Sequence, residues 1–409
     1  PELKKAFIEG ATAVGLTVYD CGLASTPAMF MTTVDDRQPV TGGVMITASH
    51  LPFNRNGIKF FTRDGGLEKQ DIAEILDIAE KGDLPEAADG GRSVDYDFMT
   101  RYKAHLTDYI RREVNAADHD HPLAGMHIVV DAGNGNGGFF VDVLKSLGAD
   151  TTGSQFINPD GRFPNHIPNP ENKEAMESIC QAVVNSHADL GIIFDTDVDR
   201  SAIVDRHGDP INRNSLIALI AAVILSEHPG STVVTDSVTS DGLAEFIAAK
   251  GGKHHRFKRG YKNVIDEGIR LNKNGEECWL AIETSGHCAL RENYFLDDGA
   301  YLVAKLIVQA ARLRAEGKEL QDLIATLRQP AESTEIRFTV TAADVQDYGR
   351  RVLDHVKDAA AGISGWHLVE PNYEGVRVSC GNDDERGWFL LRMSLHDPVL
   401  PLNIESDVK

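Results

Sequence analysis

Leu190-Gly191-Ile192-Ile193-Phe194 runs without a break into Asp195-Thr196-Asp197-Val198-Asp199-Arg200. An apolar run followed at once by a polar cluster is the pattern of a buried strand whose carboxyl end opens onto a loop, where open α/β sheets place their ligands. Carboxylates at every second position beyond that strand can converge on one point. Three clustered anions repel unless something positive joins them, and a hard cation with oxygen ligands, most naturally Mg²⁺, resolves the repulsion. A calcium loop of the helix-loop-helix kind fails on the residues themselves: it needs Gly at its sixth position and Glu at its twelfth, where Arg200 and Arg206 stand.

Short apolar strands alternate with helical patterns on both sides of this stretch, which argues for parallel α/β units. Upstream, Gly43 to Thr47 reads as a strand entering a polar loop, and Ile72, Ile75, Leu76 and Ala79 as a helix ended at Gly82. The strand Ile128 to Asp131 runs into Gly133-Asn134-Gly135-Asn136-Gly137-Gly138, which lacks the G-x-G-x-x-G order and reads as a tight strand-to-helix turn. After the Pro229-Gly230 break come strands Val233 to Thr235 and Trp279 to Ile282, then a helix carrying Leu302, Val303, Leu306, Ile307 and Ala310. Beyond Pro330, Ile336, Phe338 and Val340 alternate, a helix carries Val345, Val352 and Val356, and short strands surround Val376, Val378, Phe389 and Leu391. That last piece reads as a small α+β domain with an antiparallel sheet.

Thr47-Ala48-Ser49-His50 stands at the end of the strand Val44-Met45-Ile46, with Asn56-Gly57-Ile58-Lys59 close behind. A serine hydroxyl at such a junction carries a phosphoryl group if a cation offsets the charge and a base manages the proton; His50 and Lys59 are the near candidates. Alone, such a string is more often an ordinary turn. Two readings compete for the aspartates as well: a solvated acidic turn, and an aspartyl nucleophile at Asp195 of the haloacid-dehalogenase kind, against which Asp199 stands where that class has Thr or Val.

In combination the motifs resemble the α-D-phosphohexomutase family. The resemblance rests on Thr47-Ala48-Ser49-His50 with Pro52 and Asn56-Gly57-x-Lys59, on the Asp195/Asp197/Asp199-Arg200 loop, and on Glu283-Thr284-Ser285-Gly286-His287, in that order. Supporting strings are Asp160-Gly161-x-Phe163-Pro164-x-His166-x-Pro168-Asn169-Pro170-Glu171 and Gly375-Val376-Arg377. It implies three similar α/β domains with mixed sheets and a smaller C-terminal α+β domain around a central cleft, expected here at 1–117, 118–228, 229–330 and 331–409. It also implies Ser49 as phosphoserine, and Ser49, Asp195, Asp197 and Asp199 around one Mg²⁺. Lys59 and His50 would manage protons, with Arg200 near the transferred phosphate. Glu283, Ser285 and His287 would grip sugar hydroxyls, and Lys258, Arg259, Gly260, Arg392 and Ser394 would contact substrate. The implied reaction interconverts hexose 1- and 6-phosphates of glucose or mannose, with hexose 1,6-bisphosphate as intermediate and activator. A non-catalytic sugar-phosphate sensor on the same fold is the reading from another class.

The match departs in places. The family's fourth-domain phosphate loop usually reads Arg-x-Ser-Gly-Thr-Glu-Pro, whereas Arg392-Met393-Ser394-Leu395-His396-Asp397-Pro398 stands here, and Leu51 replaces an Asn. Lys253, His254, His255, Arg256, Lys258, Arg259 and Lys262 form a basic island, either a substrate-facing loop around Gly260 or a solvated face. His166 reads as a structural hydrogen-bonding residue. Both ends read as short: the first residue is Pro1, and an amphipathic helix with Leu3, Phe7, Ala11 and Val14 begins almost at once, where the family has an earlier strand.

Composition bounds the rest. At 409 residues, 42% hydrophobic and 25% charged, the chain supports several cores. Sixty-two acidic against 41 basic side chains give a formal charge of -21, which disfavours nucleic acid and anionic membranes as partners and leaves sugar phosphates open. The five cysteines, Cys21, Cys180, Cys278, Cys288 and Cys380, form no metal clip or disulfide framework, which fits a reducing cytoplasm. A monomer or homodimer without a membrane span is expected.

Overall fold

The structure is a computed structural model, describing residues 2–52, 54–381, 386–394 and 397–409. The chain forms two compact units, Pro1–Asn212 with Ser285–Leu320, and Arg213–Thr284 with Gln321–Lys409.

In the first unit, Thr17–Asp20 and Arg92–Asp95 pair in parallel. Gly43–Ile46 pairs antiparallel with Ile58–Thr62, with Ile46 opposite Ile58. The central sheet pairs Ile128–Asp131 in parallel with Leu190–Phe194, which then pairs antiparallel with Ser201–Asp205. Both antiparallel pairings have a simple cause. The six residues between Phe194 and Ser201, and the eleven between Ile46 and Ile58, are too few for a parallel crossover, so the chain must turn straight back. The parallel strand pairing read from the alternation of strands and helices holds for Ile128–Asp131 with Leu190–Phe194, the mixed sheet implied by the family resemblance is present, and the aspartate and serine loops are hairpin loops. Ile128, Val129, Val130, Ile192, Ile193 and Phe194 are buried, as a sheet covered on both faces requires. Helix Phe98–Val114 packs on helix Gly299–Ala315, joined by the Tyr102 hydroxyl donating to Asp298 at 2.6 Å.

In the second unit, Thr232–Thr235 lies between Lys253–Arg256 and Cys278–Ile282, all parallel. Helix Arg213–Glu227 is apolar all round and buried from Leu216 to Leu225. The C-terminal piece is antiparallel as expected, ordered Glu332–Thr339, Val399–Ser406, Arg386–Leu391, Val376–Gly381, Trp366–Leu368, with helix Val345–Ala361 against it. Ile336 and Phe338, on the edge strand, stay exposed. The helix over Ile72 to Ala79 spans Lys69–Lys81 and ends at Gly82 with φ 70°, the left-handed stop glycine provides.

Candidate active site

The hairpin loop 195–200 is closed by the Asp195 N–H donating to the Arg200 carbonyl at 3.2 Å. Three aspartates on so short a loop cannot spread apart: carboxylate oxygens of Asp195, Asp197 and Asp199 lie within 4.8 Å of one another, all buried. Val198 between them has φ 69°, a strained value for a β-branched residue, at a cost of about 1–3 kcal/mol. The Gly133–Gly138 turn supports the loop from below. A Cβ on Gly135 would meet Thr196 at 2.7 Å, and the Asn136 N–H donates to the Thr196 carbonyl at 2.7 Å. Its glycines serve close backbone packing in the strand-to-helix turn expected there.

Ser49 occupies the other hairpin, again at a left-handed φ of 51°. Its loop is pinched where Thr47 N–H donates to the Gly57 carbonyl at 3.0 Å, and a Cβ on Gly57 would sit 2.6 Å from the Thr47 oxygen. The Ser49 hydroxyl lies 3.2 Å from Asp195 Oδ2 and 3.3 Å from His50 Nδ1, two acceptors for one proton. Arg200 Nη2 donates to Ser49 Oγ at 3.2 Å and to His50 Nδ1 at 2.6 Å. A guanidinium only donates, so Nδ1 of His50 accepts and carries no proton. Burial and the Arg200 charge both hold His50 below the ordinary histidine range.

Lys59, on the strand after Ser49, reaches Asp199 Oδ2 at 2.6 Å and Asp197 Oδ2 at 3.2 Å. Burial acts to raise the Asp199 carboxyl, but the charges of Lys59, His287 and Arg200 outweigh it and hold it well below the usual range. Asp195 goes the other way, raised by burial and by the Asp199 and Asp197 charges despite Arg200. Asp195 Oδ1 accepts from the Arg200 N–H, and Oδ2 from Nε and Nη2 of Arg200 as well as from Ser49. Oxygens so engaged suit a bound ligand better than an attacking nucleophile, against the aspartyl-nucleophile reading. Among the described residues, Asp197 Oδ1 and Asp199 Oδ1 are buried without a hydrogen-bond partner, a costly state that a cation would relieve. A hard oxygen-ligated cation therefore fits this donor set.

His287 also belongs to this unit. Gly286, at φ 97°, packs so closely that a Cβ would lie 2.6 Å from the Ser201 carbonyl, and a bridge pairs Arg200 with His287. His287 Nδ1 lies 2.7 Å from Asp297 Oδ2 and 4.0 Å from Asp199 Oδ1. Burial opposes charge on this imidazole, but the Asp297 and Asp199 carboxylates push it up to about 9. Ser285 is buried two residues before.

In the second unit, the Gly260 N–H donates to Glu283 Oε1 at 2.5 Å, and the Arg259 N–H to Glu374 Oε2 at 3.1 Å. Arg392 is buried, with Nη1 4.0 Å from Glu374 Oε1. Thus Arg259 and Arg392 meet Glu374, a residue sequence reasoning passed over, while the adjoining Gly260 meets Glu283. The Lys258 ammonium stands 5.6 Å over the Phe257 ring. Ser394 Oγ accepts from the Asp397 N–H at 3.2 Å, while Leu395 and His396 of the altered loop lie outside the described residues. The basic island divides. His254 is half-buried against Thr235, burial of its ring holding it far below its ordinary pKa, and Arg256 is taken up by Thr239, the Ser240 carbonyl and Asp241. These two face inward, and the island is not one charged surface.

Thr26 also went unread in the sequence. Its hydroxyl donates to Asp197 Oδ2 at 2.5 Å and its N–H to the Asp197 carbonyl at 2.9 Å, with Ser25 capping the helix Thr26–Met31. A partner fixing a metal ligand from outside typically contributes about 10- to 100-fold in metal affinity. Thr26→Val, nearly isosteric, is expected to raise half-saturating Mg²⁺ about tenfold at unchanged melting temperature, measured by metal titration of turnover.

Three family models match the chain: "Phosphoglucomutase/phosphomannomutase, alpha/beta/alpha domain I" over residues 1–86, domain II over 101–208 and domain III over 212–330. The chain is 30% identical over 413 residues to a phosphomannomutase/phosphoglucomutase of Pseudomonas aeruginosa, spanning 100% of this chain and 81% of that one. It is 32% identical over 419 residues to a phosphohexose mutase protein of Xanthomonas campestris pv. campestris, spanning 99% and 84%. A crystal structure of a phosphoglucomutase/phosphomannomutase family protein from Burkholderia thailandensis superposes with a TM-score of 0.81 at 27% identity, covering 100% of this chain and 83% of that one. Among the described residues, no helix is long and apolar enough to cross a membrane.

Proposed function

Because the chain belongs to the phosphoglucomutase/phosphomannomutase family of isomerases, we propose that it interconverts hexose 1- and 6-phosphates through a phosphorylated Ser49. The observation that carries this reading is the Ser49 hydroxyl standing 3.2 Å from both Asp195 Oδ2 and Arg200 Nη2. A bound Mg²⁺, held by Asp195, Asp197 and Asp199, would supply neutralising charge to the phosphoryl oxygens. The remaining work belongs to the side chains. In the first half-reaction the bond from phosphorus to Ser49 Oγ breaks as one forms to a hydroxyl oxygen of the hexose monophosphate, giving hexose 1,6-bisphosphate. The hydroxyl proton leaves to a base and a proton returns to Ser49 Oγ. Lys59 is the proton carrier in this reading, with His50 beside it. In the second half-reaction the bisphosphate, turned over, returns its other phosphoryl group to Ser49. Arg200 would steady the group in transit, since phosphoryl transfer depends chiefly on positioning and charge.

Glu283, Ser285 and His287 are the sugar-binding residues of this reading, with Lys258, Arg259, Gly260, Arg392 and Ser394 toward the substrate. Glucose and mannose phosphates are the substrates it favours, on four domains divided at 117/118, 228/229 and 330/331. A coupled assay with glucose 1-phosphate and mannose 1-phosphate, Mg²⁺ and a trace of sugar bisphosphate tests it, beside intact-mass analysis. Turnover with one phosphate on Ser49 is expected. Binding without isomerisation under any divalent cation, or an acyl phosphate on Asp195, would overturn it.

A further inference from the structure

Arg200 is almost wholly buried, and its orientation decides whether Nη2 points at Ser49. Nε and Nη2 are held by Asp195, while Nη1 donates to Asn169 Oδ1 at 3.2 Å. Asn169 cannot easily flip its amide, because the same Oδ1 also accepts the Glu171 N–H at 2.9 Å. The Asn169 N–H in turn donates to the Ile167 carbonyl at 2.8 Å. One strut of the guanidinium therefore comes from a loop on no strand or helix, and that loop needs an anchor.

The anchor is a buried ion pair. His166 Nε2 lies 3.0 Å from both carboxylate oxygens of Asp131, the last residue of the strand Ile128–Asp131, and its Nδ1 lies 3.1 Å from the Ile167 carbonyl. Both ring nitrogens face acceptors, so the ring is an imidazolium, donating from each. Asp131 is further fixed by Gln155 Nε2 at 2.7 Å and the Gly133 N–H at 2.8 Å. Phe156 meets the imidazole edge-on at 5.4 Å. Pro168 lies so close to the glycine turn that a Cβ on Gly133 would approach it to 2.6 Å. The loop is thus clamped at His166 and Pro168, immediately before Asn169.

We propose that Asn169 is a positioning residue for phosphoryl transfer: it holds Nη1 of Arg200 so that Nη2 stays on Ser49, and the Asp131–His166 pair holds Asn169. The inference rests on the phosphoserine reading above. A hydrogen bond to a charged group, lost at a half-buried residue, is expected to slow transfer about tenfold.

A double-mutant cycle tests it, reading the single-turnover rate at which Ser49 takes a phosphoryl group from hexose 1,6-bisphosphate, followed by intact mass. Asn169→Ala is expected to lower that rate about tenfold at unchanged melting temperature with the KM for the hexose phosphate within about twofold, and Asn169→Asp to restore most of it. In an Arg200→Lys background, which removes the fork, Asn169→Ala is expected to add less than about twofold. His166→Gln is expected to reproduce the Asn169→Ala loss without adding to it. An equal tenfold loss in the Arg200→Lys background, or an Asn169→Ala rate within about twofold of the parent, overturns the inference while leaving the phosphoserine in place. A parent chain that accepts no phosphoryl group overturns the underlying reading, and this inference with it.

Discussion

Replacing Ser49 with alanine is expected to lower mutase turnover at least about 1,000-fold, a loss of about 4 kcal/mol of transition-state stabilisation, with no phosphate left on the protein. The size follows from the role: a covalent carrier cannot be bypassed by a neighbour, and neither Asp195, engaged on both oxygens, nor His50, facing Arg200, offers a substitute at that point. The fold is expected to survive. Ser49 is half-buried and sits at φ 51°, where the backbone conformation owes nothing to its hydroxyl, although the Ser49 N–H still needs the Thr47 side chain at 2.9 Å. Steady-state kinetics with circular dichroism checks both halves. A Ser49→Ala protein that turns over at about a tenth of the parental rate would place the phosphoryl carrier elsewhere.

Asp199→Asn carries the second large effect. Asp199 is 1% exposed, its Oδ2 accepts from Lys59, and its Oδ1 has no hydrogen-bond partner among the described residues. The amide keeps the shape but removes one charge of the three and turns a ligand into a weaker one. Turnover is expected to fall about 100- to 1,000-fold, and half-saturating Mg²⁺ to rise at least about tenfold, because several kcal/mol of charge stabilisation are at stake. Manganese titration by electron paramagnetic resonance reads the binding directly. A turnover loss with unaltered metal affinity would assign Asp199 to Lys59 alone.

What could be read in advance, and what could not, divides along physical lines. Asp195, Asp197 and Asp199 announced themselves through spacing after an apolar strand, and the loop they form is as short as that spacing implies. Ser49 is weak evidence alone and gained weight from the other motifs. Thr26 was beyond reach, because its partner Asp197 is 171 residues away and no local pattern marks a threonine as support for a carboxylate. Glu374 was hidden for the same reason, its partner Arg259 lying 115 residues away. Asn169 lay in a string already quoted, but its link to Arg200 appears only once the loop folds against Gly133. Strand direction was the other gap: hydrophobic runs show where strands lie, and only connection length shows which way the next one runs. In the basic island, charge count misled, because His254 and Arg256 spend their hydrogen bonds inside the unit.

The account turns on a phosphorylated Ser49 lying against a cation held by the three aspartates. Phosphorus NMR of the isolated phosphoprotein, titrated with substoichiometric Mn²⁺, measures that proximity. A single phosphomonoester resonance, absent from Ser49→Ala and broadened by Mn²⁺ in the parent but not in Asp199→Asn, is the predicted result. A phosphoserine signal that stays sharp as manganese binds would contradict it.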